Sequence, residues 1–393
     1  MVNYSELYSE RVKIVKPSGI RKFFDIVATM EDAISLGVGE PDFETPWQIR
    51  RAGITSLEKG KTFYTSNWGL AELRLEIVKK MNQKYGVSYD GEKEVLVTVG
   101  GSEAIDNTIR AFIGEGDEVL IPEPSFVCYT PLTILAGGTP VALPTYAEDE
   151  FKLTAENLKK AITPKTKMLV LPFPNNPTGA IMNRQELEEI AEILRDTNIL
   201  VLSDEIYCDL TYEGEHVCFA ELDGMRERTV VVGGFSKSYA MTGWRLGWAV
   251  GPREMMAPIC KIHQFGIMSA PTTAQFAGIE AIRSGDDDVN RMRTQYDMRR
   301  RYIVEELRSM GLDCFEPMGA FYVFPSIKST GMSSEEFCNK LLEEQKVAVV
   351  PGNAFGESGE GHVRISYSYS MAHLKEAMKR IRAFLENIKN KSE

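Results

Sequence analysis

The stretch FSKSYAMTGWR, Phe235 to Arg245, carries one lysine and one arginine in an otherwise small and apolar setting. It follows TVVVGG (229–234), a β-branched run that reads as a buried strand ending in two glycines. A charged amine at the end of a buried strand is costly, so the pKa of Lys237 is expected to fall. A neutral amine there is a nucleophile for carbonyl carbon and forms a Schiff base. Taken alone, Lys237 could equally snorkel to the surface. Arg245, on the following turn, has a planar fork that can grip a phosphate with two hydrogen bonds.

Three other strand ends carry groups of the same kind. After EVLVTVG (94–100), Gly101, Ser102 and Glu103 open a helix, and a glycine turn there offers free backbone N–H groups to an anion. An ordinary turn with Ser102 as N-cap would read the same way. After KMLVLPFP (167–174) comes NNPTG, a good turn in its own right, in which Asn176 could donate to a ring oxygen. After ILVLS come Asp204, Glu205, Ile206 and Tyr207. Asp204 could cap a helix or pair with a buried cationic ring nitrogen. In open α/β sheets, ligands bind beyond the carboxyl ends of the strands, so these residues belong together. An anion turn, a ring-oxygen donor, a carboxylate and an isolated lysine with an arginine describe one ligand. It is an aldehyde on a nitrogen heterocycle with a phosphate, pyridoxal 5′-phosphate.

The elements that position these groups alternate through the middle of the chain. Strands are expected over 94–100, 118–124, 167–174, 199–205, 229–234 and 246–252, with helices over 102–113 and 184–196. Continuous β-branched runs between helices indicate a parallel sheet covered on both faces. After about residue 285 the pattern changes: a long charged helix over 286–310, strands over 319–325, 346–352 and 362–368, and helices over 333–345 and 372–388. The expected domains are an arm with part of a small domain (1–45), a large α/β domain (46–285) and a small α+β domain (286–393). Asp286, Asp287 and Asp288 suit the N-terminus of the long helix.

Composition excludes several classes. The net charge of −11 repels nucleic acid and anionic membranes. No run of 18 apolar residues occurs, and the N-terminus has no apolar core of signal-peptide length. Six cysteines without a CxxC pair suit buried thiols in a reduced cytoplasm rather than a metal site or disulfide framework. His216, His263, His362 and His373 are scattered and read as structural, and Met255 and Met256 as core or interface.

With GEPDFETP, NNPTG, SDEIY, FSKSYAMTGWRLGW and HVRISYS in view, the chain resembles the fold type I, class I/II aminotransferases over nearly its whole length. SGIRKFF, KIHQFGIMSAPTTAQF and VVPGNAFGESGEG resemble a bacterial subgroup with aspartate, aromatic and N-acetyl-diaminopimelate aminotransferases. The resemblance implies a large, mainly parallel α/β domain sandwiched by helices and a smaller α+β domain. It implies that Lys237 holds the cofactor and moves a proton between substrate Cα and the cofactor. It implies that Asp204 keeps the pyridine nitrogen protonated, that Asn176 and Tyr207 bond the ring oxygen, and that Phe126 stacks on the ring. Gly101, Ser102 and Arg245 would hold the phosphate, with Glu103 and Ser236 counted among the cofactor-binding residues. Arg364 and the backbone at Gly39 would grip the substrate carboxylate. Tyr64 would reach the phosphate of a neighbouring subunit, which requires a homodimer. The implied reaction passes an amino group from an L-amino acid to a 2-oxo acid, with ping-pong kinetics.

Two departures qualify the resemblance. Many relatives carry serine where this chain has Gly234, so phosphate contacts would shift to Ser236 or backbone. Some acidic-substrate relatives carry lysine where this chain has Ser102, which weakens a strict aspartate assignment. Ile20, Trp68 and residues 262–270 would line an apolar side-chain pocket, while Arg21 and Lys22 could receive an acidic group. A carbon–sulfur β-lyase is a rival, but related lyases carry histidine where this chain has Tyr207. A non-catalytic regulator is another, but such proteins carry an added DNA-binding domain for which no segment is spare.

Overall fold

In chain order the strands are β1 (Ile34–Ser35), β2 (Val95–Thr98), β3 (Glu118–Glu123), β4 (Thr139–Pro144), β5 (Thr166–Leu171) and β6 (Leu200–Asp204). There follow β7 (Thr229–Gly234), β8 (Gly247–Val250), β9 (Tyr322–Val323), β10 (Val347–Ala348), β11 (Val350–Pro351) and β12 (Val363–Ser366). The computed structural model describes residues 2–17, 30 and 32–392. Seven strands form one sheet in the order β2-β8-β7-β6-β5-β3-β4. All run parallel except β8, which lies antiparallel between β2 and β7. The stretch 246–252 is therefore a strand, as its apolar run implies, but a reversed one. A strand buried on both faces is apolar in either direction, so its sense is invisible in the residue pattern.

Alternate residues of each central strand enter opposite cores. Leu96, Met168, Val170, Leu202, Val230 and Val232 share one core with Ile105 and Ile109 of helix 101–112 and Ile259 of helix 253–266. Their neighbours Leu169, Leu171 and Val201 pack with Leu187, Ile190 and Leu194 of helix 184–195. Val95, Val97 and Val231 pack with Leu73 and Ile77 of helix 71–85 and Ala274 and Ala277 of helix 272–284. Each fully buried Leu, Val or Ile contributes about 1.5–3 kcal/mol of apolar transfer. Helix 184–195 starts where its sequence says it should. Asn183 accepts from Glu186 N, and the Glu186 carboxylate accepts from Asn183 N, a reciprocal cap.

A three-stranded antiparallel sheet, β11-β12-β9, lies with helices 286–309, 334–345 and 371–392 around a separate apolar core. β1 pairs with β10, and Ile34 and Leu36 enter that core. The expected strand over 319–325 shortens to two residues, and 346–352 divides into β10 and β11. Asp286, Asp287 and Asp288 occupy the first turn of the long helix. All six cysteines are free. Among the described residues no helix is long and apolar enough to cross a membrane. No cluster of three metal-ligating side chains occurs among them either.

Candidate active site

The carboxyl ends of β2, β5, β6 and β7 open on one cavity of about 320 Å³, closed from the other side by Gly39, Tyr322 and Arg364. Gly39, Gly101, Ser102, Phe126, Asn176, Asp204, Tyr207, Ser236, Lys237, Arg245 and Arg364, all singled out from the sequence, line it. Tyr64 does not line it in its own chain, and its side chain is 81% exposed. Glu103 is also absent from the lining, which corrects its place in the cofactor set. Its carboxylate accepts from Val99 N and Asn107, and pairs with His263 Nδ1 at 2.6 Å. Trp68 and residues 262–270 do not reach the cavity either. Ile20, Arg21 and Lys22 lie outside the described residues.

Each strand end is shaped by its local sequence. Gly100 has φ +77, and a Cβ there would stand 2.5 Å from the Arg245 guanidinium. The positive φ favours glycine, and without a Cβ the arginine can lie against the turn. The next residues begin helix 101–112, whose first N–H groups have no partner within the helix. At the end of β5, Asn175 Oδ1 accepts from Thr178 N and Thr178 Oγ1, building the turn. That leaves Asn176 to face the cavity.

Strand alternation sorts the acidic pair at the end of β6. Glu205 turns away, where its carboxylate accepts from Ser203 Oγ and Phe219 N and pairs with His216 at 2.8 Å. Asp204 turns in, where Oδ2 accepts from Tyr129 OH at 2.6 Å and Oδ1 from Ile206 N. Burial pushes the Asp204 carboxyl up to about 6, against the hydrogen bonds from Tyr129 and Ile206 N that favour the anion.

Lys237 projects from the loop after β7 with its Nζ donating to Gly39 O at 2.6 Å. It is part-exposed only toward the cavity, and protein surrounds it elsewhere. Burial pulls the amine down to about 8; Arg364 and Arg245 push the same way, while Glu40 and Asp204 oppose. The ligand-free protein should therefore be acylated at Lys237 by acetic anhydride with a midpoint near pH 8, because only the neutral amine reacts. Peptide mass spectrometry across a pH series would show it; a midpoint near the usual 10.5 would exclude a depressed amine. The lysine loop is pinned at its far end. Thr45 Oγ1 donates to Ala240 O at 2.6 Å and accepts from Trp244 Nε1 at 3.0 Å.

The two ends of the cavity are cationic. Arg245 has a hydrogen bond to Thr242 O but no acidic partner among the described residues. Arg364 is 2% exposed and donates to Asn176 Oδ1 at 2.9 Å and to Gly37 O, and its Nε has no partner. Its guanidinium lies between the rings of Tyr322 and Phe355, at 4.6 and 4.8 Å from their centroids. With no carboxylate beside it among the described residues, this buried guanidinium suits an anionic ligand.

A family described as Aminotransferase class I and II matches residues 31–381. The chain belongs to this family. Aspartate aminotransferase of Pyrococcus abyssi is 46% identical over 384 residues, covering 97% of this chain and 99% of that one. Aromatic-amino-acid aminotransferase 2 of Thermococcus litoralis is 44% identical over 384 residues, covering 97% and 99%. The crystal structure of an aromatic aminotransferase from Pyrococcus horikoshii superposes with TM-score 0.90 at 43% identity, covering 94% of this chain and 99% of that one. As a class I/II aminotransferase, the protein transfers amino groups between amino acids and oxo acids, and its mostly parallel sheet with flanking helices is the fold type I arrangement.

Sequence reasoning missed two aromatic residues that line this cavity. Tyr129, the last residue of EPSFVCY, supplies the hydrogen bond to Asp204. Tyr322, in GAFYVFP, puts its hydroxyl 2.8 Å from that of Tyr207. A Cβ at Gly39 would stand 2.0 Å from the same Tyr322 hydroxyl, so the backbone passes close beneath it. Both tyrosines sit in apolar runs and read as core. An aromatic with a polar tip that must find a partner is the available signal.

Proposed function

We propose that the cavity holds pyridoxal 5′-phosphate and that Lys237 is the amine that bonds its aldehyde carbon. The single observation that carries this reading is the depressed, enclosed Lys237 amine between two cationic ends, one for each of two anions. The residues fit the group. Arg245, the Ser102 and Ser236 hydroxyls and the first N–H groups of helix 101–112 suit its phosphate. Gly100 leaves space for the arginine to lie against the turn. Asp204, already ionising near 6, suits a protonated ring nitrogen. Asn176 and the Tyr207 hydroxyl suit the ring oxygen, and Phe126 suits the ring face. When bound, the group supplies an electron sink for negative charge developing at substrate Cα.

The chain's own residues do the rest. Arg364 takes the substrate α-carboxylate, with the backbone at Gly39 beside it, and so fixes which bonds of Cα face Lys237. The amine of Lys237, neutral above about pH 8, takes the proton from substrate Cα and holds it for return across the substrate nitrogen, to the carbon on its other side. Apolar Val38, Ile105, Pro172, Pro174 and Ile206 exclude water around the transfer. The donor is an acidic, aromatic or related L-amino acid, and the acceptor is a 2-oxo acid such as 2-oxoglutarate. Tyr64, beside the 80% exposed Phe63, is assigned to the phosphate end of the site in a second copy, so that a homodimer completes each site. The domain boundaries near residues 45 and 285 and a cytoplasmic location complete the reading; six unpaired thiols accord with a reducing compartment.

The test is direct. Purified protein incubated with pyridoxal phosphate and reduced with borohydride should carry one covalent adduct, on Lys237. Single-turnover absorbance changes with a panel of amino acids would then rank donors. An adduct on another lysine, or none, would overturn the assignment.

A further inference from the structure

We infer that Lys80 is a positioning residue, whose ammonium ties together the two loops that carry Tyr207 and Lys237. Lys80 lies on helix 71–85, behind the sheet end, and is not among the residues lining the main cavity. Its Nζ donates to Asp209 Oδ2 at 3.0 Å and to Tyr239 OH at 3.0 Å. Asp209 stands two residues beyond Tyr207, and Tyr239 two residues beyond Lys237. The two loops leave neighbouring strands, β6 and β7, so one donor bridges the segments that must keep the phenol and the amine in register.

The surroundings make this bridge specific. Tyr239 is 2% exposed, with its ring 5.8 Å from that of Phe235. A small cavity behind the site is lined by Lys80, Cys208, Asp209, Gly234, Phe235 and Tyr239. Burial disfavours the Asp209 carboxylate, yet Lys80 and Lys84 outweigh that cost and hold its pKa far below the usual range. Burial likewise opposes the charge on Lys80, and Asp209 leads the groups that restore it. Among the described residues Lys84, one turn along, donates only to Asp209, at 2.6 Å. The two lysines therefore share one carboxylate, but only Lys80 reaches the lysine loop. A buried ion pair is weak evidence for stability by itself. A donor divided between two functional loops has a geometric consequence instead.

The inference rests on the assignment of Lys237 and Tyr207 to the reacting centre. Its test compares Lys80→Met, Lys84→Met, Tyr239→Phe and Lys80→Arg. In ligand-free protein, the acetic anhydride midpoint of Lys237 should move by about half a pH unit or more in Lys80→Met and Tyr239→Phe. In loaded enzyme, the same two variants should lose about tenfold in kcat, a small displacement sufficing, with KM for the amino acid unchanged. Lys84→Met should move neither quantity, and Lys80→Arg, which can still reach both acceptors, should restore both. The double variant Lys80→Met/Tyr239→Phe should be no worse than either single one, since both cut the same tie. Should Lys80→Met fail to fold, Tyr239→Phe carries the test with one atom removed. If Lys80→Met and Lys84→Met alike lower the melting temperature and leave Lys237 reactivity at the parental value, Lys80 is only a stabilising residue. That result with an inactive Lys237→Ala sinks this inference alone; an active Lys237→Ala sinks the assignment beneath it.

Discussion

Lys237→Ala is expected to reduce amino-group transfer by at least about 10⁴-fold, the upper range for one positioned proton-transfer group. No nearby side chain can replace it. Among the residues lining the cavity there is no second lysine and no histidine. The remaining bases there are Asp204, whose oxygens are engaged by Tyr129 and Ile206 N, and Glu40, which accepts from Thr242 Oγ1. The fold should survive, because the lysine contributes one hydrogen bond, to Gly39 O, and its removal relieves a buried positive charge between Arg364 and Arg245. Stopped-flow half-reactions with a good donor, alongside a melting curve, would check both parts. Residual transfer within tenfold of the parent, in a folded protein, would move the proton-transfer role elsewhere. Partial rescue by added primary amines is expected, since the deletion leaves a cavity of amine shape.

Arg364→Ala comes next in size. Truncating one partner of a buried charge pair costs about 2–5 kcal/mol, which is roughly 30- to 5,000-fold in kcat/KM for the amino acid. The loss should appear mainly in KM, because the guanidinium binds the carboxylate before and during transfer alike. Arg364→Lys should recover little. Lysine offers a point charge in place of the flat fork now held between Tyr322 and Phe355. Steady-state kinetics with amino-acid and amine substrates separate the cases. An amine without a carboxylate should be indifferent to the substitution. If both substrate types lose equally, the arginine acts through packing and not through the carboxylate.

The parts legible in the sequence share a physical cause. Central strands such as Met168–Leu171 and Val230–Val232 are apolar on both faces, so they stand out against any background. Strand ends could then be searched for chemistry, and Lys237, Asp204, Asn176 and Arg245 emerged from that search into one cavity. β4 was not legible: it lies at the edge of the sheet, is partly exposed and is bounded by prolines, so its pattern is weak. The reversal of β8 left no trace in composition. Glu103 misled because a first-turn acid beside a glycine turn is common to caps and to sites; its commitment to Val99 N and His263 is a matter of side-chain direction. Tyr129 and Tyr322 were hidden for the opposite reason, their rings being core and only their hydroxyls making polar contacts at the cavity.

The contact between the hydroxyls of Tyr207 and Tyr322 has one further consequence. Two phenols that meet share a single hydrogen between their oxygens, and burial keeps both protonated. If Tyr322 is the giver, the hydrogen of Tyr207 is left to point outward at whatever enters. If Tyr207 is the giver, it greets the visitor only with a lone pair. Tyr322 hangs from the three-stranded sheet and Tyr207 from the seven-stranded one. Their shared hydrogen bond therefore ties the small sheet to the loop that leaves the large one.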